Sequence, residues 1–348
     1  MTTAELEKTV RQLTAPGKGI LAADESTGTI EKRFKAVNVP CTEQTRRAYR
    51  ELLFTTPGLG EYISGVILFE ETLKQTDAAG VAFPQLLAGQ GIVPGIKVDK
   101  GTVALPGFPG EKVTQGLDGL AERLAEYKQS GARFAKWRAV LAIGAGIPSA
   151  AGIAANAHAL ARYAAICQEQ GLVPIVEPEV LMDGDHDIEA CARVTEDVLH
   201  EVFHALHRQR VALELLLLKP NMVVAGSGCP RQAAPDEVAA ATLTCLRRTV
   251  PAAVPGINFL SGGQKDETAT ANLNAMNARP ERPPWQLSFS YARALQAPAL
   301  EAWRGEAANT AAGQRALYKR ARLNGAARHG KYDAAMEQGH RVTAGGEP

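Results

Sequence analysis

Cysteine is scarce in this chain. The five present, Cys41, Cys167, Cys191, Cys229 and Cys245, are an odd number with no C-x-x-C pair. That argues against a disulfide framework and a structural zinc site, and it suits a reducing compartment, so a cytoplasmic location is expected. An excess of one charge is also lacking. Thirty-eight basic side chains face thirty-seven acidic ones, a formal net charge of +1, which leaves no overall footprint for nucleic acid or a membrane surface. No apolar run approaches the ~20 residues of a membrane span. Met1–Thr9 carries Glu5, Glu7 and Lys8 without an apolar h-region, so no signal peptide is expected. G-x-S-x-G and Walker A sequences are missing.

What the chain does have is length and apolar content. Its 348 residues, 45% hydrophobic and 22% charged, suffice for two ordinary domains or one large α/β barrel. Eight short apolar runs recur: Gly19–Asp24, Ile63–Glu70, Val93–Asp99, Phe134–Val140, Leu172–Glu179, Leu213–Asn221, Ala253–Ser261 and Trp285–Ser290. Such runs suit parallel strands buried on both faces. Stretches of helical period separate them. Leu117, Leu120, Leu124 and Tyr127 form one stripe, with Gly131 as its C-terminal cap. Ser149 is placed to cap a helix that Gly171 ends, a third stripe runs from Ile188 to Leu206, and Asp236 opens a fourth. Eight βα units predict a TIM (β/α)8 barrel over an open doubly wound sheet.

Three apparent motifs fail on inspection. Gly17-Lys18-Gly19 precedes a strand, whereas a dinucleotide fingerprint follows one. Asp183-Gly184-Asp185-His186-Asp187 begins like a calcium loop, but Ile188 and Val194 stand where glycine and glutamate belong, so it is expected to cap the next helix. His200, His204 and His207 lack a second ligand cluster and are expected on a solvated face. No metal and no cofactor are expected.

The informative residues sit where the apolar runs stop: Asp24, Glu70, Lys97, Asp99, Lys136, Arg138, Glu177, Glu179 and Lys219. The C-terminal end of a barrel strand faces the catalytic mouth. Charges are seldom buried unless paired or functional, and here several converge on one end. A lysine in apolar surroundings beside a second cation releases its proton more readily, and the free amine attacks carbonyls. Lys219 fits that role with Lys136 as neighbour and Glu177 as acid and base. Ser261-Gly262-Gly263 after the seventh run and Arg293 past the eighth are placed to bind phosphate. Lys97, Arg33 and Ser26 are candidates for a second anion across the mouth. Two phosphate sites flanking an amine suggest a bisphosphorylated sugar cleaved through a Schiff base.

At these residues the chain resembles class I fructose-bisphosphate aldolase. GKGILAADESTGTIEKRF (Gly17–Phe34), GVILFEETL (Gly65–Leu73), GIKVDKG (Gly95–Gly101), TQGLDGL (Thr114–Leu120) and FAKWR (Phe134–Arg138) are similar to that family. So are VPIVEPE (Val173–Glu179), DGDHD (Asp183–Asp187), LLKPNM (Leu217–Met222), FLSGGQ (Phe259–Gln264) and SFSYARALQ (Ser288–Gln296), in collinear order up to about Lys331. The resemblance implies Lys219 as Schiff-base lysine and Glu177 as general acid/base with Glu179 beside it. It implies Lys136 and Arg138 as charge support and Asp24 as base for the C4 hydroxyl. Ser261, Gly262, Gly263, Ser290 and Arg293 would hold the C1 phosphate. Ser26, Thr29, Arg33, Lys97 and, more weakly, Arg46 would hold the C6 phosphate.

It further implies a sugar-phosphate substrate, a homotetramer, and a lyase of glycolysis and gluconeogenesis. Residues 1–331 are expected to form a single barrel domain with an N-terminal helical extension, and 332–348 a flexible tail. Two departures stand out: Ala292 where the family's phosphate loop often has glycine, and a tail ending Gly345-Gly346-Glu347-Pro348 without the terminal tyrosine of animal members. Sedoheptulose 1,7-bisphosphate or fructose 1-phosphate as main substrate, and a binding-only scaffold, are the rival readings. Retention of Lys219, Glu177, Lys136 and Asp24 together argues against the scaffold.

Overall fold

The computed structural model describes residues 3–338. In chain order the strands are β1 (Gly19–Ala23), β2 (Ile63–Leu68), β3 (Val93–Lys97), β4 (Thr102–Ala104), β5 (Lys112–Thr114), β6 (Phe134–Leu141), β7 (Val173–Val180), β8 (Leu217–Leu218), β9 (Gly256–Phe259) and β10 (Gln286–Tyr291). β4 and β5 form a separate antiparallel hairpin. The other eight close into a parallel barrel ordered β1-β10-β9-β8-β7-β6-β3-β2, flanked by helices. This is a TIM (β/α)8 barrel.

Each apolar run overlaps a barrel strand, but the run 213–221 yields only the two residues of β8. Leu213–Leu215 is a 3-10 turn instead. Gln168 ties down this turn, its amide donating to the Ala212 and Leu215 carbonyls at 2.8 and 3.2 Å. Pro220 lacks the N–H that a longer ladder needs.

Strand alternation sends every second side chain inward. Low in the barrel these are Ile20, Ala22, Ile67, Val93, Phe134, Val173, Ile175 and Leu217. They share a buried apolar cluster with Leu6, Val10 and Leu13 of the helix Thr3–Leu13, which plugs the bottom. Gly95 makes room for the Phe134 ring, since a Cβ there would stand 2.3 Å from it. Two residues higher on the same faces, the apolar series turns charged. Ala22 is followed by Asp24, Phe134 by Lys136 and Arg138, Ile175 by Glu177 and Glu179, and Leu217 by Lys219. The outward residues, among them Val66, Leu68, Trp137, Val176 and Phe259, pack under the helices in the larger core. Each fully buried side chain of this size stabilises the fold by about 1.5–3 kcal/mol.

The helices begin and end for local reasons. Ser149 Oγ accepts from Gly152 N at 3.0 Å to cap Ala150–Gln170, and Gly171 closes it at φ 74°. Asp187 accepts from Ala190 N at 2.7 Å and caps Ile188–Arg208, as its acidic loop predicts. His200, His204 and His207 are exposed along that helix. Pro235–Thr249 forms as expected, whereas Leu120–Gln129 is capped by Ser130, with Gly131 one residue beyond. The domain boundary also moves. Residues 332–338 are not a loose tail: Tyr332 N donates to Asn274 Oδ1 at 2.8 Å, and Tyr332 Oη, Arg320 and Lys319 all engage Glu337. The expected tail from Gly339 to Pro348, Glu347 included, lies outside the described residues.

Candidate active site

Four side chains meet at the barrel mouth, two from within β6 and β7 and two from just beyond β1 and β8. Lys219 Nζ lies 3.0 Å from Glu177 Oε1. Lys136 Nζ lies 3.1 Å from Glu177 Oε2 and 2.7 Å from Asp24 Oδ2. Asp24, at 8%, is the most exposed of the four, and the others are at 3%. Positive and negative groups therefore alternate through space as Lys219, Glu177, Lys136, Asp24. Glu177 Oε2 touches Lys136 outside hydrogen-bond geometry, which leaves that oxygen a lone pair for a proton.

The charges set one another. Burial pushes the Glu177 carboxyl up, but Lys136, Lys219 and Arg138 together bring it below its ordinary value. Burial likewise opposes ionisation of Asp24, and Lys136 and Lys219 outweigh it, holding the carboxyl well below the usual range. Lys136 responds in the opposite sense. Burial favours its neutral form, and Asp24, Glu177 and Asp99 overcome that, holding its proton more tightly than an ordinary lysine. Asp24, Glu177 and Lys136 all carry charge at neutral pH.

Around this cluster, Arg138 pairs with Glu179 and keeps 43% of its side chain exposed. Lys97, level with Lys136 across the β3–β6 ladder, bonds to Asp99 Oδ1 at 2.6 Å and to the Asp99 carbonyl at 2.9 Å. Ser26, Thr29 and Arg33 lie on one face of the helix Thr27–Ala36. Ser26 stands at the N-cap, its Oγ 3.1 Å from Thr29 Oγ1, and no acidic residue occupies the first turn. A helix N-terminus of this kind favours an anion. Arg46 is placed elsewhere, held by Glu71 through a 2.9 Å bond from Nε and a second from Nη2. Glu70 pairs with Lys74 and Lys100 at the surface.

Across the mouth, Gly262 and Gly263 take φ of +53° and +95°, backbone that side chains resist. Arg293 donates to the Gly263 carbonyl, tying this loop to the start of the helix Arg293–Trp303. Ser261 is buried beside it, and Ser290 Oγ is buried without a protein partner. Ala292 adopts φ −101°, so its methyl needs no left-handed backbone, and it packs against the inner apolar cluster.

Sequence reasoning missed three residues that shape the site from behind: Glu25, Arg50 and Gln296. Glu25 accepts from Arg33, from Arg50 at 2.7 Å and from Gln296 at 2.8 Å. The consecutive acids Asp24 and Glu25 at a strand end were the available signal. Asp99, visible as a strand-end charge, gained its place only through Lys97. Among the described residues no group of three or more His, Cys, Asp or Glu is placed to hold a metal ion, and no helix is long and apolar enough to cross a membrane.

Comparison with known proteins agrees on one family. The model of the class-I fructose-bisphosphate aldolase family matches residues 5–344. Fructose-bisphosphate aldolase 1 of Toxoplasma gondii is 58% identical over 94% of this chain and 91% of its own length. Human fructose-bisphosphate aldolase C is 55% identical over 96% of this chain and 92% of its own. The solved structure of fructose-bisphosphate aldolase from Plasmodium falciparum, in complex with TRAP and a small-molecule inhibitor, superposes with a TM-score of 0.93 at 54% identity. It covers 95% of this chain and 96% of that one. With these matches spanning the barrel and its charged mouth, the chain belongs to the class-I fructose-bisphosphate aldolase family.

Proposed function

We propose that Lys219 is the nucleophile through which this lyase reversibly cleaves fructose 1,6-bisphosphate to dihydroxyacetone phosphate and glyceraldehyde 3-phosphate. The observation that carries the reading is the buried contact of Lys219 with Glu177 at the end of an apolar strand. Glu177 accepts the ammonium proton, and the freed amine adds to the C2 carbonyl. The same carboxyl then returns a proton to the carbinolamine hydroxyl, which departs as water and leaves a protonated imine. Asp24 takes the C4 hydroxyl proton. The C3–C4 bond breaks, its electron pair flows into the iminium as an enamine, and the aldehyde leaves. Protonation of the enamine at C3 and hydrolysis release the ketone product and the lysine.

Lys136 lies between the two carboxylates and compensates their charge as protons move. Arg138, fixed by Glu179, reaches toward substrate oxygens. Because the iminium is the electron sink, the cleavage step needs no metal. Ser261, Gly262, Gly263, Ser290 and Arg293 hold the C1 phosphate, and Ser26, Thr29, Arg33 and Lys97 the C6 phosphate. Arg46, committed to Glu71, is the weakest member of that set. We also infer a homotetramer, from the family likeness, and a cytoplasmic enzyme of glycolysis and gluconeogenesis; the five free cysteines suit that compartment.

Borohydride reduction in the presence of dihydroxyacetone phosphate, followed by peptide mapping, tests the assignment. Label on Lys219 alone is expected. Label on Lys136 or Lys97, or none, would overturn it.

A further inference from the structure

We propose that Arg50 is a positioning residue for substrate phosphate. It offsets the charge of Glu25 beside Arg33, so that a buried relay just beyond the end of β1 keeps Arg33 electropositive and sets affinity at the mouth. The inference rests on the reading that Arg33 meets the C6 phosphate.

Asp24 and Glu25 follow β1 and diverge. Asp24 turns inward to Lys136, while Glu25 lodges among Arg33, Arg50 and Gln296. Its carboxylate is held on both oxygens. Oε1 accepts from Arg33 Nη1 and from Gln296 Nε2 at 2.8 Å, and Oε2 accepts from Arg50 Nη2 at 2.7 Å. Gln296 Nε2 also donates to the Ala22 carbonyl at 2.7 Å, which anchors the arrangement to β1. Arg50 comes from the helix Glu43–Phe54 and is 2% exposed, with its guanidinium carbon 5.9 Å from the Tyr49 ring centroid. Its Nη1 is buried without a hydrogen-bond partner. Arg33 keeps 24% of its side chain exposed.

The charge count gives this burial a use. Glu25 against Arg33 alone would fix the guanidinium but cancel its charge. Burial pushes the Glu25 carboxyl up, but Arg50 and Arg33 pull it below its ordinary value, so it stays ionised. Two guanidiniums and one carboxylate then leave one net positive charge. Arg33 is held in place, and the field it offers a phosphate remains positive.

The test measures the ratio of KM for fructose 1,6-bisphosphate to KM for fructose 1-phosphate, which lacks the C6 phosphate. Arg50→Met is expected to raise the ratio roughly 15-fold, the order of one charge lost at about 10 Å at an effective dielectric constant of about 20. Arg50→Lys should stay within about twofold of the parent, on the same Coulomb argument. Glu25→Gln, which leaves two positive charges, should lower the ratio, and Glu25→Gln with Arg50→Met should return it toward the parent value. Borohydride trapping at Lys219 checks that each variant keeps a folded site. An unchanged ratio in Arg50→Met, equal rises in both KM values, or a raised ratio in Glu25→Gln would overturn the relay. Arg33→Met separates the two ideas. If it leaves the ratio unchanged, Arg33 is not at the C6 phosphate and the reading beneath the relay falls. If it raises the ratio while Arg50→Met does not, the relay alone falls. Should Arg50→Met fail to fold, Arg50→Lys and Glu25→Gln still decide the matter.

Discussion

Lys219 and Glu177 stand side by side because their strands are in register. Leu218 of β8 pairs with Val176 of β7, so the next residue on each strand brings amine and carboxylate to 3.0 Å. The proposed nucleophile and its proton acceptor are thus set one residue beyond a shared ladder rung, not by a mobile loop.

Glu177→Gln keeps the shape and removes the titratable oxygen. Loss of a positioned acid/base costs about 10²–10⁴ in rate, so kcat should fall at least a hundredfold while KM changes little. Stopped-flow measurement of imine formation with dihydroxyacetone phosphate should show the same slowing. Unimpaired imine formation would move the acid/base role to another residue.

Lys97→Met should raise KM for fructose 1,6-bisphosphate far more than for fructose 1-phosphate. An ammonium has three donors, and Asp99 engages two of them, leaving one for phosphate. A charge-assisted bond of about 1.5–3 kcal/mol is roughly one to two powers of ten in affinity. Equal losses on both substrates would remove Lys97 from the C6 site.

Acid should destabilise the protein through the buried carboxylates. Asp24, Glu25 and Glu177 are held below their ordinary values. The stability they contribute is complete above the unfolded carboxyl value of about 4 and is lost as pH falls through the lower folded values. Lys136, held above its ordinary value, contributes below the unfolded lysine value of about 10.4 and loses that contribution only in stronger base. Melting temperature should therefore be flat near neutrality and fall below about pH 5. Lys136→Met leaves two buried carboxylates short of a cation and should cost about 3–5 kcal/mol at pH 7. Its melting temperature should drop less between pH 6 and 4 than the parent's, because Asp24 and Glu177 are no longer so depressed. An equal or steeper drop would mean that the acid sensitivity arises elsewhere.

Gly95→Ala tests the packing under the site. The added methyl would meet Phe134 at 2.3 Å inside a closed ring of strands, and overpacking of this kind costs typically 1–3 kcal/mol. Urea unfolding should register that loss, and a midpoint equal to the parent's would show that the Phe134 ring can move aside.

The sequence by itself determined the barrel, because its signals are local. Apolar runs at βα spacing, Ser149 and Asp187 as caps, Gly171 as a stop, and charges where the runs end all act within a few residues of where they are read. It could not show that β8 shrinks to two residues, which depends on Gln168 from another element holding the turn before it. Nor could it say which carboxylate meets which cation. Lys136 takes Asp24 from beyond β1 and Glu177 from β7, Arg46 is drawn to Glu71, and Glu25 gathers Arg33, Arg50 and Gln296. Those pairings were decided only by the closed barrel. Coulomb attraction and desolvation depend on distance through space and on exclusion of water, and neither quantity exists until the strands have closed.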